Sequence, residues 1–251
     1  MTYLLYYTIE DKENKGVYMK QICLLTGANS ETGIYIAKKL SRQYKMILVW
    51  HNDNTRILAN KKYLRDAEIL QGDMSKEEVV ENIFSNIYVK YSKIDLIVNC
   101  IGKNVKIIDE EIDECCWDDV LSNNLKPILF IGRYYHKYHQ DGQTGCWINF
   151  SSTAGIRGIP VAPHYIVSKA GVIAMSEYYA KILAPNIRVN TIAPGFIETS
   201  QHNKSSYDSI RSSTPLKRMA TFGEIVDTVM YLVKCEFVTG QTIVVDGGLI
   251  L

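Results

Sequence analysis

Tyr165 and Lys169 stand four residues apart in the stretch PHYIVSKAG, and Ser152 lies thirteen residues before the tyrosine in INFSSTAG. A tyrosine and a lysine at i and i+4 share one face of a helix, one turn apart. A lysine ammonium so placed favours the phenolate, which lowers the phenol's pKa and lets a normally inert side chain trade protons near neutral pH. A serine hydroxyl from the end of a preceding strand can hold a substrate oxygen beside that phenol. Taken singly, each residue has an ordinary reading as a packed tyrosine, a solvated lysine or a strand-end cap. Together they point to proton transfer at a carbonyl or hydroxyl oxygen.

Such a trio needs elements that deliver it to one place. Strand-like runs alternate with helical patterns along the chain, which predicts an α/β fold, a parallel sheet with helices on both faces. The strands are expected at QICLLTG near 21–27, KMILVW at 45–50, AEILQGD at 67–73, IDLIVNC at 94–100 and CWINFSS at 146–152, then in IRVNTIA and QTIVVDG. IDLIVNC is almost continuously apolar, as a strand buried on both faces should be. Helices are expected at about 33–43, through Val79, Val80, Ile83, Phe84, Ile87 and Tyr88, at about 115–138, from 163 to about 183 where Pro185 helps end it, and around 222–234. Neither a linker nor a repeat interrupts the run from 19 to 251, so it reads as one domain. Residues 1–18 read as an extension, with Tyr3, Leu4, Leu5, Tyr6 and Tyr7 able to add an edge strand.

Composition narrows the class of function. The 251 residues are 47% hydrophobic and 22% charged, the balance of a soluble globular protein. A formal net charge of +1 gives no electrostatic case for nucleic acid or membrane partners. The six cysteines form no CxxC pair and no metal-ligand spacing, so they read as reduced thiols of a cytoplasmic protein. No metal site is expected. The start of the chain lacks a basic leader and a small-residue cleavage site.

TGANSETG at 26–33 joins the first strand to the first helix, a turn that sets backbone N–H groups and a helix N-terminus against a ligand diphosphate. Asp73 follows the third strand, NCIG at 99–102 follows the fourth, and WDDVLSNNLKPILF carries Asn124. NTIAPGFIET at 190–199 and the closing TGQTIVVDGG complete an ordered set with Ser152, Tyr165 and Lys169. On these motifs, from about residue 20 to the end, the chain resembles the single-domain short-chain dehydrogenases/reductases and is similar to their 3-oxoacyl-(acyl-carrier-protein) reductases.

The resemblance implies a single-domain Rossmann fold, a doubly wound parallel sheet of about seven strands. It implies hydride transfer between a nicotinamide and a carbonyl or secondary alcohol, most simply a β-ketoacyl thioester. In the reducing direction Tyr165 gives a proton to the carbonyl oxygen and Ser152 hydrogen-bonds that oxygen. Lys169 binds the nicotinamide ribose and tunes Tyr165, while Asn124 kinks its helix and holds a proton-relay water. Cofactor contacts implied by the same alignment are Gly27, Asn29, Ser30, Thr32, Gly33, His51, Asp73, Met74, Asn99, Gly102, Pro194, Gly195, Ile197 and Thr199, besides Tyr165 and Lys169. Self-association as a dimer or tetramer through the helices at 115–138 and 163–183 is also implied. The second of these adds a physical hint, since Ile166, Val167, Ala170, Ile173, Ala174, Tyr178 and Tyr179 cover more of its surface than one sheet needs.

Two positions depart from the family pattern. Glu31 stands where the middle glycine of the turn is usual. At an effective dielectric of about 20 and ~6 Å, each unit charge pair with a diphosphate repels by ~3 kcal/mol before screening. Two outcomes are open: the side chain swings to solvent or meets a basic group, or cofactor binding is weak or the loop altered. His51 stands where NAD-preferring relatives carry an acid, which favours NADP(H) over NAD(H); Asp53 pulls the other way and Arg56 could help a phosphate. Between Thr199 and Pro215 the expected lid, QHNKSSYDSIRSS, is polar, which leaves a small polar carbonyl or sugar-type intermediate open as substrate. Lys217 and Arg218 beside it could meet an acidic carrier protein. A silent dinucleotide-binding sensor is the alternative from another class, kept open by Glu31.

Overall fold

Side chains along these strands divide by parity, and that division builds the molecule. A computed structural model describes residues 20–105, 111–140, 142–159, 161–200 and 204–251. The expected N-terminal extension at 1–18 lies outside the described residues. Seven parallel strands form one sheet: β1 (Gln21–Thr26), β2 (Tyr44–Trp50), β3 (Glu68–Gln71), β4 (Leu96–Asn99), β5 (Gly145–Phe150), β6 (Ile187–Pro194) and β7 (Thr242–Val245). Their order across the sheet is β3-β2-β1-β4-β5-β6-β7, the doubly wound arrangement, with its reversal between β1 and β4.

Ile22 and Leu24 of β1, Ile47 and Val49 of β2, Ile97 of β4 and Trp147 of β5 enter one core. It is covered by α3 (Glu77–Tyr91), α4 (Glu114–Tyr138) and α5 (Pro163–Ile182). Cys23, Leu25, Met46, Leu48, Leu96, Val98 and Ile148, the neighbours of those residues, enter the other core. There α1 (Glu31–Leu40) and α7 (Phe222–Lys234) cover the sheet. Successive side chains of a strand point to opposite faces, so a strand buried on both must be apolar throughout.

The boundaries follow local chemistry. α1 begins at Glu31, two residues before the expected start, because the Ser30 hydroxyl accepts from the Gly33 N–H at 2.9 Å and caps it. The Asp113 carboxylate caps α4 by accepting from Cys116 N–H at 2.7 Å. Two helices lie where the sequence read only as loop: α2 (Thr55–Ala59) in the polar stretch after β2, and α6 (Lys204–Ser213) within the expected lid. One expected surface residue is core: Tyr179 is 6% exposed, with its ring on Trp147 and over Gly132 of α4. Among the described residues, no helix is long and apolar enough to cross a membrane.

α7 starts in a capping box. The Thr221 hydroxyl accepts from Glu224 N–H at 3.3 Å, and the Glu224 carboxylate accepts from Thr221 N–H at 2.8 Å. Arg218 grips the same carboxylate through bonds of 2.8 and 2.6 Å. The guanidinium first, then the Thr221 N–H, holds the Glu224 carboxyl down at about 2, against an ordinary 4.5. A depressed carboxyl stabilises the fold fully above its unfolded value, and that stability is lost as pH falls through the folded one. Glu224→Gln should therefore cost about 1 kcal/mol at neutral pH, the scale of a cap plus a screened ion pair. Urea melts should show the gap closing as pH falls from 4.5 toward 2; a gap independent of pH would rule the pair out as its source.

Candidate active site

The first glycine of the β1–α1 turn has φ +67°, and a Cβ on Gly27 would sit 2.7 Å from the Cys100 carbonyl carbon and oxygen. Only glycine lets β1's exit pass so close to the end of β4. The Ser30 hydroxyl donates to the Gly27 carbonyl at 2.9 Å and closes the turn. With Gly33 N–H taken by Ser30, the Glu31 and Thr32 N–H groups at the start of α1 have no intrahelical acceptor, the arrangement that binds anions.

Asn29 ties this turn to the next loop. Its Nδ2 donates to Asp53 Oδ2 at 2.8 Å, and its Oδ1 accepts from Ile57 N–H at 3.0 Å, which anchors α2. Asp53 also accepts from the Thr55 N–H and hydroxyl at 3.0 Å each, and those bonds hold its carboxyl below the usual range. Glu31 turns away from α1 to meet Ser200, whose N–H donates to Glu31 Oε2 at 3.2 Å and whose hydroxyl donates to Oε1. Arg56 Nη2 lies 3.9 Å from the same carboxylate. The carboxylate that threatened a diphosphate is thus drawn off to a basic group and a hydroxyl.

A cavity of about 310 Å³ opens at the carboxyl ends of β1 to β4, at the point where the strand order reverses. Gly27, Asn29, Ser30, His51, Asp73, Met74 and Gly102 line it, seven of the expected cofactor contacts. Asp73 accepts from the Ser75 N–H at 2.9 Å and hydroxyl at 2.7 Å, with His51 Nε2 at 3.9 Å. Partial burial pushes its carboxyl up, but the Ser75 bonds and His51 outweigh it, and the net direction is down.

Under the cavity a buried polar chain crosses three strands. Thr26 Oγ1 donates to Asn99 Oδ1 at 2.7 Å, Asn99 Nδ2 to Asn149 Oδ1 at 3.2 Å, and Asn149 Nδ2 to Ser176 Oγ at 3.0 Å. Thr26, Asn99 and Asn149 sit side by side in register, which is why their amides meet. Asn99 is therefore in the floor, not on the cavity wall. Asn124 clasps the loop after β4: its Oδ1 accepts from Lys103 N–H at 2.7 Å, and its Nδ2 donates to Lys103 O at 3.0 Å and Ser168 Oγ at 2.8 Å. Pro127, one turn on, has no N–H to offer the Asn123 carbonyl within α4.

Ser152, Tyr165 and Lys169 meet beside this cavity. Ser152 Oγ caps a short turn by accepting from Ala154 N–H at 3.2 Å, and its hydroxyl stands near enough to the Tyr165 phenol to pull that group's pKa down. A Cβ on Gly155 would lie 2.6 Å from the Lys169 carbonyl carbon, so the serine's turn rests directly on α5. The Lys169 ammonium, 2% exposed, donates to Phe150 O at 2.8 Å and Ile101 O at 3.4 Å. Burial pushes the lysine down to about 8, with Cys100 acting weakly the other way.

The phenol departs from expectation. Burial pushes Tyr165 up, and only the Ser152 hydroxyl pulls it back. Lys169 Nζ lies 5.8 Å from the ring centroid and donates to strand-end carbonyls, and burial sets the phenol's net direction.

The remaining expected contacts fall outside the cavity. Thr32 is half-buried in α1, and Gly33 is buried beneath the turn. Gly195 N–H donates to Val245 O at 3.0 Å next to Pro194, and Ile197 bridges to Ala220. Thr199 faces Glu31 and α7 across a separate gap. Sequence reasoning missed Ser75, Lys103, Ser168 and Ser200. Ser75 carried a local signal, since an aspartate two residues before a serine favours an Asx turn; the others are brought in only by long-range contacts.

A family model described as enoyl-(acyl carrier protein) reductase matches residues 27–250. The chain is 31% identical over 244 residues to the 3-oxoacyl-(acyl-carrier-protein) reductase of Thermotoga maritima, covering 92% of this chain and 98% of that protein. It is also 31% identical to nodulation protein G of a Rhizobium species, over 90% of this chain and 95% of the relative. Among solved structures it superposes on a short-chain dehydrogenase/reductase, SDR:glucose/ribitol dehydrogenase, from Brucella melitensis with a TM-score of 0.85 at 26% identity, covering 92% and 97% of the two chains. ElxO with NADP bound gives a TM-score of 0.85 at 25% identity, covering 92% and 99%.

Asn149→Ala would leave the Asn99 amide and the Ser176 hydroxyl short of a partner where no water reaches. It should cost about 1–3 kcal/mol in urea unfolding. A change of only a few tenths would show that the polar chain under the cavity contributes no stability.

Proposed function

The chain belongs to the short-chain dehydrogenase/reductase family, and from that membership we propose that it is an NAD(P)H-dependent ketoreductase acting on a β-ketoacyl thioester. The observation that carries the reading is the convergence of Ser152, Tyr165 and a buried Lys169 at the edge of a cavity suited to a dinucleotide. There the Ser152 turn rests on Lys169, and Lys169 Nζ stands behind Gly102 on the cavity wall. The fit to such a cofactor rests on the open turn at Gly27, the Glu31 and Thr32 N–H groups of α1 and the position of Asp73 on the wall. Gly27, Asn29, Ser30, His51, Asp73, Met74 and Gly102 would hold the cofactor; when bound it supplies the hydride.

Tyr165 gives the proton that the substrate oxygen takes up, and the Ser152 hydroxyl donates to that oxygen as charge develops on it. Burial keeps the Tyr165 phenol protonated at neutral pH, and the Ser152 hydroxyl pulls it back toward the range in which it gives that proton up. Lys169 places a positive charge beneath this pair. Asn124 acts as a positioning residue, keeping Lys103 and Ser168 against each other rather than meeting substrate.

NADP(H) is the proposed cofactor over NAD(H). No carboxylate stands at His51, and the Asp53 carboxylate is turned to Asn29 and Thr55. The acyl-carrier reading draws on relatives that carry that name across more than nine-tenths of both chains. Beside the expected lid Arg218 is committed to Glu224, while Lys217, exposed and with its ammonium bonded to the Ser212 carbonyl at 2.9 Å, keeps its charge for an acidic carrier. The Ser152–Tyr165 pair speaks against a silent sensor. Free thiols at all six cysteines suit a cytoplasmic setting. Association as a homotetramer is proposed through α4 and α5, where Val167, Tyr178 and Ile182 are 45%, 58% and 46% exposed.

Purified protein should oxidise NADPH with β-ketoacyl thioesters, and Tyr165→Phe should remove turnover while cofactor still binds. Cofactor binding without turnover on thioesters or free ketones would instead support the sensor. Because Lys169 is charged below about 8 and neutral above it, kcat/KM for the cofactor should fall on the alkaline side of that value. A profile flat from 7 to 9.5 in Lys169→Met and in the parent alike, at about the same level, would dismiss the lysine's role. Light scattering at micromolar concentration should give a tetramer mass; a strict monomer would exclude the α4–α5 interface.

A further inference from the structure

The seat for a diphosphate and the carboxylate of Glu31 belong to the same helix end. Glu31 is the first residue of α1, and the positive end of a helix dipole attracts any anion within its first turn. The N–H groups that would bind a diphosphate would therefore equally attract this side chain. In the structure they do not hold it. The carboxylate is bonded instead to Ser200, 169 residues away in sequence, through the Ser200 N–H at 3.2 Å and its hydroxyl. Arg56 of α2 stands 3.9 Å from Oε1 on the other side. Arg56 is itself placed by Asn29, whose Oδ1 accepts the N–H of the adjacent Ile57.

We propose that Glu31 is an intramolecular competitor for the diphosphate seat, and that Ser200 and Arg56 act as positioning residues that hold it off that seat so a dinucleotide can bind. The inference rests on the dinucleotide reading above and adds to it a device of this chain's own. It explains how a carboxylate is tolerated in a turn that must take an anion. It also links the seat to the segment after β6, because Ser200 follows Thr199 on the strand of chain paired with Ala220. Freed from Ser200, the carboxylate returns to the N-terminus of α1 and repels the incoming diphosphate.

The test is a double-mutant cycle read by direct cofactor binding. NADPH affinity is measured by fluorescence titration for the parent protein, Ser200→Ala, Glu31→Gln and the pair, each at low and high salt. Ser200→Ala removes the hydroxyl bond and leaves the N–H bond, so it should weaken NADPH binding by about tenfold, less than the roughly hundredfold of one full unscreened charge pair. That loss should shrink in high salt, since it is electrostatic. In the Glu31→Gln background the same serine change should alter Kd by less than twofold, because no competing charge remains. Arg56→Ala repeats the cycle should Ser200→Ala fail to fold, and melting curves check each variant. An equal loss from Ser200→Ala in both backgrounds, or none in either, would overturn the proposal. If the parent protein binds neither NADPH nor NADH at millimolar concentration, the dinucleotide reading falls and this inference with it. Parent binding with an additive cycle overturns this inference alone.

Discussion

One buried ammonium organises the site. Lys169 lies in the interior at the seam between α5 and the sheet, where an unpaired charge would cost several kcal/mol. Two backbone carbonyls relieve that cost, Phe150 at the end of β5 and Ile101 just past β4. Neither carbonyl can move without stranding the ammonium, so the exits of two strands and one turn of α5 are locked together. The consequences spread outward. A Cβ on Gly102 would stand 3.0 Å from Nζ, so any side chain there would push the ammonium off its carbonyls by a few tenths of an ångström. Ser151 Oγ donates to the Lys169 carbonyl at 2.7 Å, which sets the next residue, Ser152, against Tyr165.

That lock also bears on how the neighbouring phenol titrates. An ammonium aimed at the phenol would ease loss of its proton and bring it nearer the working pH. Here the ammonium donates to carbonyls and the phenol stays high, with the Ser152 hydroxyl alone drawing it back down. A low lysine and a high tyrosine side by side are both products of burial, which penalises the charged form of each. Position along α5 decides which groups meet; depth decides how they titrate.

The second constraint is the sheet's own register. Parallel strands ending at one level put Thr26, Asn99 and Asn149 in a row, and three residues of hydrogen-bonding capacity become a rigid floor. Above it the turn at Gly27 can approach β4 closely, and the Asn29–Asp53 bond joins β1's exit to β2's. Glu31 shows how such a frame absorbs an unfavourable residue. Its charge is not removed but carried sideways to partners supplied by two other segments.

Much of this was legible in the residues themselves. Alternating apolar strands and amphipathic helices specify a doubly wound sheet, because period and burial leave few other ways to cover both faces. The i, i+4 spacing of Tyr165 and Lys169 specifies a shared helix face, and the glycines and Ser30 specify the turn. Local signals ended there. The partners of Lys169, Asn124 and Glu31 are carbonyls or hydroxyls tens to more than a hundred residues distant, and almost every segment offers such groups. Sequence spacing could not say that Lys169 would serve Phe150 and Ile101 before Tyr165, nor that Tyr179 would turn inward against Trp147. Those outcomes depend on desolvation and close packing, which exist only once the sheet has brought distant strand ends together.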